Sequence, residues 1–289
     1  MLRPAVKTTG NGASVDAATV EGFGYEWTKF DQSDVDMAEM QALFDLYFSS
    51  FPWDSLPENP IGFDLGCGSG RWARLASPRV GRLVCIDASL EALAVTGRNA
   101  PDCLLLLASA GALPVRTASL DFGYSLGVLH HIPEPLRGLT DAVQALKPGA
   151  PFLVYLYYAF DNRTPWFRAL WKATDLVRKG VSRQSPRVRS AISQVLAVSV
   201  YLPLARSAAL LERLGRDVEA LPLAAYRHRS LYTMRTDALD RFGTRLEHRF
   251  TKREVVALME GAGLERITVS DDMPYWCAVG FKPLGQVGP

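Results

Sequence analysis

The sequence predicts an α/β protein: a doubly wound, mostly parallel sheet of seven strands with a helical insertion after the fifth. Three observations carry that expectation. Between residues 60 and 160, short and almost continuously apolar runs alternate with helix-compatible stretches, the pattern of strands buried on both faces of a sheet. The first of those runs leads into a loop with glycine at alternate positions, Gly66, Gly68 and Gly70, just ahead of a helix-like segment. Beyond residue 160 the alternation gives way to long amphipathic segments and returns only near residue 251.

In order, "IGFDL" reads as a strand, "RWARLAS" as the opening of a helix, "RLVCIDA" as a strand and "LEALAVTGRN" as a helix. "CLLLLAS" and "LDFGYSLGVL" follow as strands, "LRGLTDAVQAL" as a helix and "PFLVYLYY" as the fifth strand, joined by right-handed crossovers. In the insertion, "TPWFRALWKATDLVRKG" and "RVRSAISQVLAVSVYLPLARSAALLERLG" are helical and basic at their polar positions, and Pro203 is expected to kink or split the second. Gln194, Ser199, Pro203 and Arg206 interrupt its apolar core, which argues against a membrane span. Thr251 and Glu254 form a capping-box pair at the start of a last helix, Gly263 suits its end, and "ERITVSDD" and "YWCAVGFKP" read as closing strands. The expected organisation is a mobile tail over 1–20, a core over 21–160, a basic helical cap over 161–240 and closing elements over 241–289.

A net charge of +2 conceals an asymmetry. Residues 161–253 hold 19 Lys/Arg against 8 Asp/Glu, and the rest of the chain 13 against 22. Either the arginines form a solvated surface or they serve an anionic partner. Cys67, Cys85, Cys103 and Cys277 make no CxxC pair and have no histidine at metal-ligand spacing, so no disulfide framework and no metal site are expected. The first twenty residues lack an apolar core of signal-peptide length, and a cytoplasmic location is the expectation.

The glycine loop admits two nucleotide readings. A dinucleotide loop, GxGxxG or GxGxxA, fails from Gly66, where the sixth position is Arg71, and from Gly68 reaches Ala73 but begins past the strand end. The other reading is an acid followed by GxGxG: Asp64, Gly66, Gly68 and Gly70. With "VCIDAS", "ALPVRTASLDFGYSLGVLHHIPEP" and "LKPGAPFLVYLYY" in order behind it, residues 60–157 resemble the class I S-adenosylmethionine-dependent methyltransferases, small-molecule branch. "FGYEWTKF" and "MPYWCAVGFKP" resemble segments of a bacterial subgroup of that family. The resemblance implies a Rossmann-like fold, S-adenosyl-L-methionine as cofactor and S-adenosyl-L-homocysteine as product. It places Gly66, Cys67, Gly68 and Gly70 beside the methionine and ribose, Asp87 with Ala88 at the ribose hydroxyls, and Asp64, directly or through water, and the Leu126 carbonyl toward the ammonium. Ser109, followed by Ala110, stands where many relatives pair an aspartate with the adenine amino group, which makes a charge-assisted contact neutral. Tyr25 and Trp27 either close over the cofactor or anchor an N-terminal helix.

Methyl transfer from a sulfonium is an in-line displacement that needs alignment and water exclusion, and no metal. His131 or His130 would serve as base for a hydroxyl acceptor, or else only shape the loop. Tyr157, Tyr158, Arg227, His228 and Arg229 are the expected acceptor contacts. A basic, partly apolar cap favours a small anionic or lipid-like acceptor and permits peripheral membrane contact; no nucleic-acid module is recognisable. Two other classes stay open, a non-catalytic S-adenosylmethionine-binding scaffold and an NAD-dependent oxidoreductase.

Overall fold

The register of the central strands is set by paired glycines and phenylalanines. A computed structural model describes residues 16–285. In it β1 (Ile61–Leu65) lies parallel to β4 (Phe122–Leu126), with Gly62 opposite Phe122 and Phe63 opposite Gly123. A Cβ on Gly62 would meet the Phe122 ring at 2.1 Å, and one on Gly123 the Phe63 ring at 2.2 Å. Each ring therefore occupies the space its neighbour's missing side chain leaves. With β2 (Arg82–Asp87), β3 (Leu104–Leu107), β5 (Pro151–Tyr155), β6 (Glu265–Val269) and β7 (Cys277–Phe281) they form one sheet in the order β3-β2-β1-β4-β5-β7-β6. Only β7 runs antiparallel to its neighbours. The fold is thus the expected doubly wound α/β sheet.

The flanking helices are α1 (Ala17–Lys29), α2 (Met37–Tyr47), α3 (Arg71–Ala76), α4 (Leu90–Asn99) and α5 (Pro135–Ala145). Ser89 caps α4, its hydroxyl accepting from Ala92 N–H at 3.2 Å. The insertion supplies α6 (Pro165–Val181), α7 (Pro186–Leu196), α8 (Leu202–Arg213) and α9 (Leu231–Gly243), and α10 (Lys252–Gly261) closes the core. Both halves of the Thr251–Glu254 capping box form, and Gly263, at φ +89°, ends α10.

Three expectations need correction. Ala17–Val20 are the first turn of α1, capped by the Asp16 carboxylate, so they are not a tail; residues 1–15 lie outside the described ones. A cap boundary at 240 would cut α9, which continues to Gly243. Pro203 does not split its helix: Ala197–Tyr201 widen into a π turn, Leu202 N–H donates to Ala197 C=O, and α7 and α8 run on as one 28-residue helix, Pro186–Arg213. With a mean hydropathy of 1.5 over its most apolar window, that helix is long and apolar enough to cross a membrane despite its polar interruptions. It packs nevertheless against α9, with Ser190, Ser193, Ala197 and Ala205 buried.

Candidate active site

At the carboxyl ends of β1, β4 and β5, a cavity of about 990 Å³ opens and continues upward into the insertion. Open parallel sheets bind ligands at this end. Its floor is the glycine loop. Gly66 and Cys67 donate backbone N–H bonds to the Ile86 carbonyl at 2.7 and 3.1 Å, and the Thr96 hydroxyl donates to the Gly68 carbonyl at 2.9 Å. Gly66 has φ +78°, and a Cβ there would strike Val128 at 2.3 Å. Glycine at 66 thus lets Val128 pack directly on the loop backbone. Asp87 ends β2 beside it, accepting from Gly68 N–H and Ser89 N–H, each at 2.9 Å. Burial raises its carboxyl and these backbone donors oppose the rise.

Cys67, Gly66, Gly68, Asp87, Ala88, Ser109, Ala110 and Leu126 all line the cavity. So does Trp27, whose indole nitrogen lies 2.8 Å from where a Gly68 Cβ would be. Tyr25 does not, because the helical period that turns Phe23 and Trp27 inward turns Tyr25 toward Arg189. Asp64 and Gly70 are also off the cavity. Asp64 is buried within the sheet near Tyr124, and burial pushes its carboxyl well above the usual range, so a direct contact with a ligand's ammonium is not available to it. Gly70 serves close packing, since a Cβ would touch Thr96 at 3.0 Å.

The two histidines separate. His130 is fully buried away from the cavity, stacks on Tyr157 with centroids 3.9 Å apart and accepts from Tyr157 N–H through Nδ1 at 3.4 Å; it is a structural neutral ring and no base. His131 lines the cavity. Its Nδ1 lies 2.8 Å from the Leu246 carbonyl, which can only accept, so the proton sits on Nδ1 and Nε2 keeps a free lone pair. Burial lowers its pKa, and Asp240 pulls the other way with a carboxylate oxygen 3.8 Å from Nε2. The Tyr157 hydroxyl donates to the other oxygen of Asp240. His131, Asp240 and Tyr157 thus form one constellation contributed by core and insertion together.

The upper chamber is aromatic and cationic. The Arg249 guanidinium lies 5.0, 5.0 and 4.9 Å from the rings of Tyr157, Phe160 and Trp171. Arg249 and Arg241 share one carboxylate, Glu247, at 2.7 and 3.6 Å, which leaves the pair with excess positive charge. Tyr158 faces the same space. Arg227, His228 and Arg229 line the outer rim, but Glu212 holds Arg227 Nε and His228 Nε2 at 2.7 Å each. The Arg227 charge is therefore partly neutralised.

Sequence reasoning missed Arg71, Asp237, Asp240, Arg241 and Arg249. Arg71 follows the glycine loop directly and lines the cavity opposite Asp237, whose carboxyl burial pushes up to about 6 against the pull of Arg71. The available signal was Asp237 and Asp240, two acids one helical turn apart in an otherwise basic segment.

The sheet order, the glycine loop and the acid ending β2 give a Rossmann-like fold with a ligand cleft at the carboxyl ends of its strands. A family described as a methyltransferase domain matches residues 63–154, which supports a class I S-adenosylmethionine-dependent methyltransferase with S-adenosylmethionine as cofactor. The chain is 32% identical over 111 residues to an uncharacterized 37.1 kDa protein in a transposon of Streptomyces fradiae, covering 35% of this chain and 32% of that one. It is 30% identical over 148 residues to a tRNA (carboxymethyluridine(34)-5-O)-methyltransferase of Arabidopsis thaliana, covering 47% and 35%. The chain thus spans about a third of the length of these curated relatives. In fold it is similar to a chain in the complex of a Haloferax volcanii methyltransferase activator with its methyltransferase, with TM-score 0.51, 14% identity, and 89% and 96% of the two chains covered.

Proposed function

We propose that this chain transfers a methyl group from S-adenosylmethionine to a small amphipathic or acidic acceptor bound beneath the helical insertion. The observation that carries the reading is continuity: one cavity joins the Asp87 and glycine-loop floor to the His131–Asp240–Tyr157 constellation and the aromatic, cationic chamber above. The loop fits the cofactor, because the glycines let Val128 and Trp27 close directly on its backbone and leave Asp87 and the loop as the floor of the cavity. When bound, S-adenosylmethionine supplies a methyl on an already activated sulfonium.

The chain's own residues supply position. Asp87 offers two carboxylate oxygens to the ribose hydroxyls, Ser109 a hydroxyl to the adenine, and Arg71 a guanidinium suited to the methionine carboxylate. Trp27 covers the loop and the insertion excludes water. For an acceptor that must lose a proton, His131 Nε2 takes it, and Asp240 stabilises the imidazolium that results. Arg241 and Arg249 hold an anionic group among aromatic rings. The Arabidopsis relative acts on tRNA; the apolar, ring-lined walls here favour a smaller acceptor.

Calorimetry tests the cofactor half. S-adenosylhomocysteine should bind the wild-type chain, and Asp87→Ala should weaken it by about 1.5–3 kcal/mol, the scale of hydrogen bonds to a charged group. Because Asp87 also restrains Gly68, the variant's melting temperature is read alongside. Unchanged affinity in a folded Asp87→Ala would remove the assignment.

A further inference from the structure

The first half of the insertion's long helix buries polar side chains and exposes apolar ones. Toward α9 it buries Arg189, Ser190 and Ser193, while Val188, Val195 and Val198 are exposed, Val195 by 65%. A helix made only for a water-facing surface would reverse that arrangement. α6 shows a second apolar stripe at helical spacing, Trp166, Leu170 and Val177, with Leu176 beside it exposed by 71%. Across residues 165–216, twelve large apolar side chains are exposed.

Charge on the same segment has one sign. Eight cations are exposed there, among them Arg168, Lys172, Lys179, Arg183 and Arg187, and no acid is: Asp175 is buried against Arg178, and Glu212 is half-buried against Arg227. Apolar surface with cations and no anions matches an anionic lipid interface, where side chains enter the acyl boundary and cations meet headgroups. A second copy of the chain would bring like charges together. The Pro186–Arg213 helix is fixed to α9 through α7 and the π turn and to the Ala224–Tyr226 turn through α8, so it would lie on a bilayer and not cross it.

The apolar surface also reaches the cavity. Leu170, Val200 and Leu204 belong to both, each exposed by about 40% (44, 39 and 44%) and each lining the cavity. We infer that the helical insertion docks on an anionic membrane surface and admits an amphipathic acceptor from it between α6 and α8. The docking surface stands independently of the methyltransferase reading; the delivery of acceptor rests on it.

Co-sedimentation with vesicles of phosphatidylglycerol and phosphatidylcholine tests the inference, with pure phosphatidylcholine vesicles as control. The chain should bind the mixed vesicles, bind the neutral ones at least about tenfold less, and release in about 0.5 M salt as the exposed cations are screened. Leu176→Asp and Val195→Asp, both outside the cavity lining, should each reduce binding on the order of tenfold, the scale of losing one buried apolar anchor. Their affinity for S-adenosylhomocysteine without vesicles should equal that of the parent, which shows that they fold. Failure of the parent to bind that ligand would count against the methyltransferase reading alone. Absence of vesicle binding by the parent, or binding unchanged in both variants, would overturn the docking surface. So would a dimer in sedimentation velocity that the same substitutions dissolve, since the apolar face would then belong to a second copy.

Discussion

His130 and His131 are adjacent in the chain and have opposite roles because one ring faces the sheet and the other the cavity. Both are held neutral by burial. The unfolded chain takes up a proton near pH 6.5, the folded rings only at lower pH. The neutral rings therefore contribute stability above about pH 6.5 that is lost as pH falls through the window below it. At His131 the Asp240 charge opposes the depression. Asp240→Asn should accordingly lower the His131 titration further, followed by NMR of the ring protons, and move any acid limb of activity to lower pH. A His131 ring that titrates at or above the ordinary value, or one unmoved by Asp240→Asn, would remove it as the base. Once an acceptor is in hand, His131→Ala should cost about two to four powers of ten in rate. Most residues that the resemblance placed at the cofactor line the cavity, because they cluster on short loops at one end of the sheet. Asp240 was not legible in the sequence, because its approach to His131 depends on how an insertion more than a hundred residues later folds back. Asp64 lies off the cavity for a related reason: a strand position alone does not say whether its side chain opens to the cleft or to the core.

Between β1 and β4 the Gly62–Phe122 and Phe63–Gly123 pairs act as a register lock. A one-residue slip would set ring against ring and turn every side chain to the other face. Gly62→Ala or Gly123→Ala should each destabilise the fold by about 1–3 kcal/mol, the range for overpacking a dense core. Thermal or urea unfolding measures the loss. The cost of Gly62→Ala should shrink in a Phe122→Leu background, where the crowding ring is gone; a strictly additive pair would show that the ring is not what the new methyl meets. The strands themselves were readable as buried apolar runs, and the capping box on α10 as a local pattern closing within four residues. The π turn before Pro203 was not readable. A proline inside a helix predicts a kink or a split, and here Ala197, Tyr201 and Ala205 pack onto the insertion's own core and the helix runs on past it.

The whole chain divides into a basic stretch over residues 161–253 and an acidic remainder, and the two sets of cations sit in different media. Arg183, Arg187 and their neighbours are exposed, whereas the Arg241 and Arg249 side chains are 18% and 13% exposed inside the cavity. Outer charges steer an anion toward the cleft over a distance that salt controls; at about 0.5 M the screening length contracts to about 4 Å. Inner charges hold it where salt hardly reaches. A soluble anionic amphiphile such as decanoate separates the two, because Trp171 lines the cavity beside Arg249 and reports occupancy by its fluorescence. In stopped-flow mixing, raising the salt from about 0.02 to 0.5 M should slow association about tenfold or more and leave dissociation within about twofold. Arg249→Met should do the reverse, raising dissociation by about tenfold or more with association little changed, as removal of a charge-assisted contact requires. Thermal melting of that variant checks that Arg241 still balances Glu247. Salt acting on dissociation would mean that the anion rests on the exposed arginines and never enters the chamber. Salt without effect on association would mean that the charge asymmetry does not steer.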